Sequence, residues 1–181
     1  MKRFILTGAP GSGKTAILRQ LEVEGFGVVE EAATDAIALA QAKGVEEMWK
    51  DPAFLDAIVS LQKERQLRNA NAQCEVQFHD RSVICTAALA EYLGHPITSA
   101  LASEIERIKT ERIFENRVFF VRNLGFVVRT DARRISFEDT LRFEQIHEQT
   151  YRSHGFEIDP VEAGSIADRV AAIKKVAGIS K

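Results

Sequence analysis

Short apolar runs alternate along the chain with longer segments that have helical spacing. The runs are residues 4–7, 26–29, 75–79, 118–121 and 156–158, the last of them closed by Asp159-Pro160. Runs of this length, bounded by turn-forming residues, are typical of strands that helices cover on both faces. The pattern therefore predicts five strands within an α/β fold.

Apolar residues at intervals of three and four predict helices between these strands. The spacing occurs at residues 54/58/61, 101/105/108 and 166/170/173. Asp51-Pro52 predicts a helix start, since Asp caps the first turn and Pro suits its first position. Ser136, followed by Phe-Glu-Asp, resembles a capping box and predicts a helix that runs to about Ser153. Strands that alternate with helices favour a parallel sheet with right-handed crossovers.

Composition narrows the class of protein. The 181 residues include 24 basic and 26 acidic side chains, for a formal net charge of −2. This balance argues against nucleic acid or an anionic membrane as the partner. The two cysteines are too few for a disulfide framework, and no apolar run approaches the ~20 residues of a membrane span. We expect one cytoplasmic domain over residues 1–181.

The strongest motif, GAPGSGKT, follows the first predicted strand immediately. In this pattern backbone N–H groups cradle phosphates, the lysine reaches the β and γ phosphates, and the hydroxyl contacts Mg²⁺. The predicted nucleotide-binding residues are Gly8, Gly11, Ser12, Gly13, Lys14 and Thr15. The motif predicts a P-loop protein that uses ATP and Mg²⁺; the alternative is a glycine-rich turn with a solvent-exposed lysine.

Missing motifs exclude several kinds of P-loop protein. The chain has neither the D-x-x-G and N/T-K-x-D motifs of GTPase switches nor the LSGGQ-like signature of ATP-binding cassettes. AAA+ motors usually end the third strand in Asp-Glu, but here Asp80-Arg81 follows the third strand. The position of the water-activating Glu therefore holds Arg81.

Asp80-Arg81-Ser82 after an apolar strand resembles the small P-loop kinases, including deoxynucleoside kinases. The resemblance implies that Asp80 accepts the proton of the substrate hydroxyl or holds Mg²⁺ through water, and that Arg81 contacts substrate or phosphate. Phosphoryl transfer depends mostly on positioning and charge neutralisation, which these side chains can supply. The alternative is an ion pair at the surface.

Six arginines lie between residues 112 and 134, and the stretch 122–135 contains a glycine but has no helical period. An arginine-bearing loop between strand and helix resembles the lid of nucleoside and nucleotide kinases. We therefore predict a lid over about residues 122–135, with Arg129 on the nucleotide and Arg133 and Arg134 in catalysis. The alternatives are a solvated basic loop and arginines that pair with acids elsewhere.

Glu30 and Glu31 follow the second predicted strand, and ligands of open α/β sheets sit at the carboxyl ends of strands. We predict that they bind substrate; a solvent-facing helix start rich in acids explains them equally well. His147 and His154 do not belong to a recognisable motif with other residues, and we assign them no function.

The whole chain resembles a family of small predicted ATPases related to the ribosylnicotinamide kinase domain of a bifunctional NAD-biosynthesis regulator. The P-loop, the Glu-Glu-Ala-Ala segment, Asp80-Arg81 and the run from Phe143 to Tyr151 carry the resemblance. Members often have Arg after Glu-Ala-Ala, where this chain has Thr34. With the P-loop, the resemblance favours a three-layer α/β P-loop NTPase fold with a parallel five-stranded sheet of order 2-3-1-4-5.

These features predict an enzyme that transfers the γ-phosphoryl group of ATP to a small acceptor, such as a nucleoside or a related metabolite. The alternative is a nucleotide-dependent switch or a partner-binding ATPase that has no small acceptor. A kinase that uses the arginines to modify nucleic acid is a third hypothesis, which the acidic net charge disfavours.

Overall fold

In a computed structural model of the protein, five strands form one parallel sheet of order β2-β3-β1-β4-β5, which confirms the predicted order. The structure describes residues 1–8, 10–69, 73–124 and 137–179. The strands are β1 (Lys2–Thr7), β2 (Gly27–Val29), β3 (Val76–Asp80), β4 (Arg117–Val121) and β5 (Glu157–Val161).

Helices connect the strands throughout the described residues. They are α1 (Lys14–Val23), α2 (Ala33–Ala42), α3 (Ala53–Arg68), α4 (Val83–Leu93), α5 (Ser99–Thr110), α6 (Phe137–Ser153) and α7 (Ile166–Ala177), with a 3-10 turn at Met48–Lys50. The predicted start at Asp51-Pro52 is confirmed, because the Asp51 side chain accepts a hydrogen bond from the Ala53 N–H at 2.9 Å. The helix predicted to end near Ser153 does end there; Ser136 lies outside the described residues.

The sheet separates two apolar cores, which gives three layers. On one face, Phe4, Phe78 and Phe119 form a ring cluster with centroids 5.5–6.3 Å apart, covered by α1 and α7. On the other face, Ile5 and Val118 pack against α3, α4, α5 and α6. Neighbouring residues of β1 thus point to opposite faces, as the period of a strand requires.

The fifth strand is longer than predicted. Asp159-Pro160 was expected to close it, but β5 continues to Val161, with Pro160 paired against Phe120 of β4. A proline cannot donate to a strand ladder, but an edge strand needs donors on one side only. Because β5 is the edge strand of the sheet, Pro160 is tolerated within it.

The parallel arrangement brings the carboxyl ends of β1, β2 and β3 to one edge of the sheet. The P-loop follows β1, Glu30-Glu31 follow β2, and β3 ends at Asp80. This edge is where open α/β sheets bind ligands. None of the helices in the described ranges is long and apolar enough to cross a membrane.

Candidate active site

Glycines shape the P-loop where it leaves β1. Gly8 has a φ of 132°, and a Cβ atom there would lie 2.2 Å from the Val121 carbonyl oxygen. Only glycine therefore lets the chain pass the end of β4. Gly13, with a φ of 87°, turns the chain into α1 and directs the positive end of that helix at the loop.

Lys14 is buried in this loop. Its Nζ donates hydrogen bonds to the Gly8 carbonyl oxygen at 3.0 Å and to Ser12 Oγ at 3.3 Å. Burial, together with the charge of Arg81, lowers the pKa of Lys14 to about 7, although Asp80 and Glu31 oppose the shift. The lowered pKa means that the folded protein disfavours the charged form of Lys14, so an approaching anion such as phosphate would stabilise that form.

Asp80 and Thr15 offer oxygen atoms near Lys14. Asp80 Oδ1 is buried and has no hydrogen-bond partner among the described residues. Burial raises the pKa of Asp80, while the charges of Lys14 and Arg81 act in the opposite direction. Thr15 is exposed in the first turn of α1, on the same cavity as Asp80. A bound cation would offset the cost of burying this carboxylate, so the two side chains fit a Mg²⁺ site.

Across the described ranges, no group of three or more His, Cys, Asp or Glu side chains forms a metal-binding cluster. Mg²⁺ is commonly held by one or two protein oxygens together with substrate phosphates and water. Asp80 and Thr15 match that pattern better than a metal site made entirely of protein ligands.

Arg81 is turned into the site by its backbone. Its φ of 70° is rare for a residue with a side chain, while its N–H still donates to the Leu6 carbonyl oxygen at 2.9 Å. The guanidinium Nε lies 3.2 Å from Glu31 Oε1, and the Arg81 side chain is 10% exposed. The pair therefore forms inside the protein, unlike the surface ion pair considered as an alternative.

The two acids after β2 have different surroundings. Burial disfavours charge on Glu31, but Arg81 and the Thr34 hydroxyl outweigh it, so the pKa of Glu31 lies below its usual value. Glu30 is exposed and pairs with Arg19, away from the residues that line the main cavity. The structure thus brings Glu31 to the predicted site and leaves Glu30 outside it.

A cavity of about 430 Å³ joins these groups. Its phosphate-loop end is lined by Pro10, Gly11, Gly13, Lys14, Thr15 and Ala16. The charged and polar residues along it are Glu31, Thr34, Gln62, Asp80, Arg81, Cys85, Thr86 and His147, and the apolar ones are Ala33, Ile37, Ile58, Leu89 and Phe143. This volume falls within the range of small-molecule sites.

Several cavity residues were not predicted from the sequence. The Thr86 hydroxyl donates to Gln62 Oε1 at 3.0 Å, which joins α4 to α3. His147 contacts Arg81 from α6, one helical turn beyond Phe143. A signal for His147 was present, because it lies four residues after Phe143 and four before Tyr151, both on the inward face of the helix.

The predicted lid falls mostly outside the described residues. Arg129, Arg133 and Arg134 lie there, so these assignments stay predictions. Of the six arginines, Arg122 pairs with Glu144 and Glu148 of α6. Arg117 pairs with Asp159 across β4 and β5. These two arginines therefore pair with acidic residues in other parts of the chain, which was one of the alternatives to a lid.

The fold and this loop together define a P-loop domain of the nucleoside-triphosphate-binding class, with a cavity beside the phosphate loop. The family described as "AAA domain" matches residues 3–169, so the chain belongs to that family. In this chain β3 ends at Asp80, and Arg81 follows it. No sequence among the curated proteins matches the chain significantly.

Solved structures with the same fold include a deoxyadenosine kinase and the NadR protein. Deoxyadenosine kinase from M. mycoides with bound dATP superposes with a TM-score of 0.62 at 14% identity, over 97% of this chain and 99% of that one. The NadR protein in complex with NAD and AMP-PNP superposes with a TM-score of 0.71 at 15% identity, over 99% of this chain and 50% of that one. The predicted resemblance to small P-loop kinases is confirmed, and the protein is kinase-like in fold.

Proposed function

We propose that this protein binds Mg·ATP and transfers the γ-phosphoryl group to a hydroxyl of a small uncharged acceptor, such as a nucleoside. The observation that carries the proposal is the continuity of the cavity from Lys14 and Thr15 to Gln62 and Thr86. A switch that only hydrolyses its nucleotide needs room for one water molecule beside the phosphate. The cavity of about 430 Å³ continues past the phosphate loop to Gln62 and Thr86, farther than a single water molecule requires.

The donor end is suited to the triphosphate. The backbone of the P-loop and the N-terminus of α1 attract phosphate, and Lys14 adds a positive charge. Asp80 and Thr15, which line the same cavity, would hold Mg²⁺ beside the phosphates. The cation would neutralise charge on the transferring group.

The acceptor end is suited to the hydroxyl. Glu31 has a lowered pKa and is ionised at neutral pH, so it accepts a hydrogen bond from the acceptor hydroxyl. The acceptor oxygen bonds to the γ-phosphorus as the bond to the bridging oxygen breaks, ADP leaves, and the hydroxyl proton passes to Glu31. Arg81, held beside Glu31, stabilises negative charge on the phosphoryl group.

The far end of the cavity favours an acceptor without a phosphate. Gln62 and Thr86 are neutral, and Ile37, Ile58 and Leu89 form an apolar wall. The cations among the described cavity residues are Lys14 and Arg81, both close to the acids at the phosphate-loop end. A phosphorylated acceptor would call for a further cation. A flat, neutral ring that hydrogen bonds to an amide matches these surroundings.

The test measures ADP formation from Mg·ATP with nucleosides, deoxynucleosides, pyridine ribosides and nucleoside monophosphates, each added separately. We expect at least one unphosphorylated compound to accelerate ADP formation tenfold or more over nucleoside-free hydrolysis. Gln62→Leu should raise the KM for that compound about tenfold, because the loss of a hydrogen bond costs roughly 0.5–1.5 kcal/mol. Lys175→Ala, an exposed change on α7, is the control and should leave KM unchanged.

If Mg·ATP binds but no compound accelerates ADP formation, the kinase proposal is wrong. The nucleotide-dependent switch or partner-binding ATPase then becomes the better interpretation of the P-loop. Acceleration by monophosphates alone would instead contradict the assignment of an uncharged acceptor.

A further inference from the structure

His147 is a buried side chain that the proposed reaction does not use directly. It is 0% exposed, projects from α6 and lines the cavity. Its Nε2 lies 3.2 Å from Arg81 Nη1, and its Nδ1 lies 2.9 Å from the Phe143 carbonyl oxygen. The ring also packs edge-on against the Phe143 ring, with centroids 4.2 Å apart. Its position is therefore fixed on several sides.

These contacts define which nitrogen carries the hydrogen. A carbonyl oxygen can only accept, so Nδ1 donates to Phe143, and the lone pair of Nε2 accepts from Arg81. Burial, together with the charge of Arg81, lowers the pKa of His147 to about 3, which agrees with a neutral ring. His147 is thus an uncharged acceptor for a charged donor.

Arg81 lies between groups from several elements. Glu31, after β2, accepts from its Nε, and His147 of α6 accepts from its Nη1. Cys85 of α4 lines the same cavity. Its backbone is in the left-handed region, which is strained for a residue with a side chain and persists only where the surroundings hold it.

We infer that His147 is a positioning residue that holds the Arg81 guanidinium at the reacting end of the cavity through a neutral hydrogen bond. A second carboxylate at this place would also fix Arg81, but it would add to the negative charge that Glu31 already supplies. The imidazole fixes the direction of the guanidinium without adding a further negative charge. Only the kinetic part of the test below rests on the proposed function.

The first measurement follows Arg81 itself by NMR, without any ligand. The Arg81 Nη1–H signal, from the atom that donates to His147, is assigned by its loss in Arg81→Lys. In His147→Phe the ring remains but the acceptor is gone, and we expect exchange of this hydrogen with solvent to rise at least tenfold. In His147→Gln the amide oxygen lies near the former Nε2, and exchange should return to within threefold of the unchanged protein. His154→Gln, just beyond the end of α6, is the control and should change nothing.

The second measurement records the ¹⁵N shifts of His147 in the unchanged protein. We expect Nδ1 to carry the hydrogen and Nε2 to remain unprotonated from pH 6 to pH 8. A protonated Nε2 in this range overturns the proposal, even if His147→Phe does not fold.

The third measurement is turnover of Mg·ATP with water as the acceptor. His147→Phe should lower kcat at least tenfold and change the KM for ATP less than threefold, and His147→Gln should recover most of kcat. Unchanged Arg81 exchange in His147→Phe, or equal losses in Phe and Gln, overturns the positioning role. If the unchanged protein turns over ATP neither with water nor with any compound of the acceptor screen, the proposed function fails, and the two NMR measurements still decide the role of His147.

Discussion

Lys14 is a buried cation. Its burial costs free energy, and the same position suits it to bind phosphate. Its ammonium group donates to the Gly8 carbonyl oxygen, and the residue is 7% exposed. Burial lowers its pKa to about 7. Phosphate would supply the negative charge that the folded protein provides only in part. The burial of Lys14 leads to two predictions, one for the affinity for Mg·ATP and one for the uptake of a proton when Mg·ATP binds.

Lys14→Ala should remove most Mg·ATP affinity, on the order of 100-fold or more, and leave the fold intact. Lys14 contacts the P-loop rather than either apolar core, so its loss does not open a cavity between sheet and helices. Isothermal titration with Mg·ATP and circular dichroism check the two parts. Lys175→Ala is the matched control. Unchanged affinity in a folded Lys14→Ala protein would contradict the phosphate-binding role.

Binding of Mg·ATP at pH 8 should take up close to one proton. With a pKa of about 7, Lys14 is mostly neutral at pH 8, and the phosphates raise this pKa in the complex. Affinity should therefore decrease as the pH rises above 7. Titrations at pH 8 in buffers of different ionisation enthalpy measure the uptake. The same titrations on Lys14→Met should lose it, and equal uptake in both proteins would assign the proton elsewhere.

Asp80→Asn should lower phosphoryl transfer by about 10²–10⁴-fold and weaken ATP binding much less. Asn keeps the shape but removes the charge that would hold Mg²⁺. The folded protein should be no less stable, because burial already raises the pKa of Asp80. Single-turnover rates and ATP titrations separate the two effects. Equal losses would assign Asp80 to ground-state Mg²⁺ binding alone.

At the scale of elements, α6 connects the site with the sheet. Glu144 accepts from Arg122 after β4, His147 accepts from Arg81 after β3, and the Tyr151 hydroxyl lies 2.8 Å from Ser82 Oγ at the start of α4. Residues 144, 147 and 151 lie on one face of the helix. A shift of α6 would therefore move several strand ends together.

The segment before α6 carries the predicted lid. Arg133→Ala or Arg134→Ala should slow turnover at least tenfold and change the KM for ATP much less. An arginine that meets the phosphoryl group mainly in the transition state acts on kcat. Steady-state kinetics with ATP check this, and Arg68→Ala, at the exposed end of α3, is the control. Normal turnover in both variants would refute the lid and favour a solvated or partner-facing basic loop.

At the scale of the whole molecule, the sheet holds the strand ends that form the site. Phe78 is 0% exposed, and its ring packs with those of Phe4, Phe26 and Phe119 in the core on one face of the sheet. Asp80 and Arg81 follow Phe78 within three residues. The packing of β3 in the core therefore also places these two side chains of the candidate active site.

Phe78→Ala should destabilise the protein by about 3–5 kcal/mol, since a large buried side chain leaves a cavity in a close-packed core. This is a large part of the ~5–15 kcal/mol stability of a typical domain. Urea denaturation measures the change. Val23→Ala, at a side chain 82% exposed on α1, should stay within about 0.5 kcal/mol. A loss under 1 kcal/mol in Phe78→Ala would contradict this account of the core.

The sequence alone determined what depends on local pattern. Strand and helix periods, the glycine spacing of the P-loop and the capping at Asp51 are properties of neighbouring residues, so they were visible without a structure. α4 lacked a clear signal, because its sequence VICTAALAEYL is apolar on nearly every face. The end of β5 was misplaced because its edge position, which tolerates Pro160, is a property of the sheet.

Only the tertiary structure decided which residues meet. Gln62, Thr86 and His147 are far apart in the chain and reach one cavity because α3, α4 and α6 pack on the same side of the sheet. Glu30 and Glu31 are adjacent in sequence, yet Glu31 meets Arg81 while Glu30 meets Arg19 at the surface. Local spacing fixes the type of element, but side-chain direction and long-range contact depend on how the elements pack. The phosphate site was therefore predictable, and the surroundings of Arg81 were not.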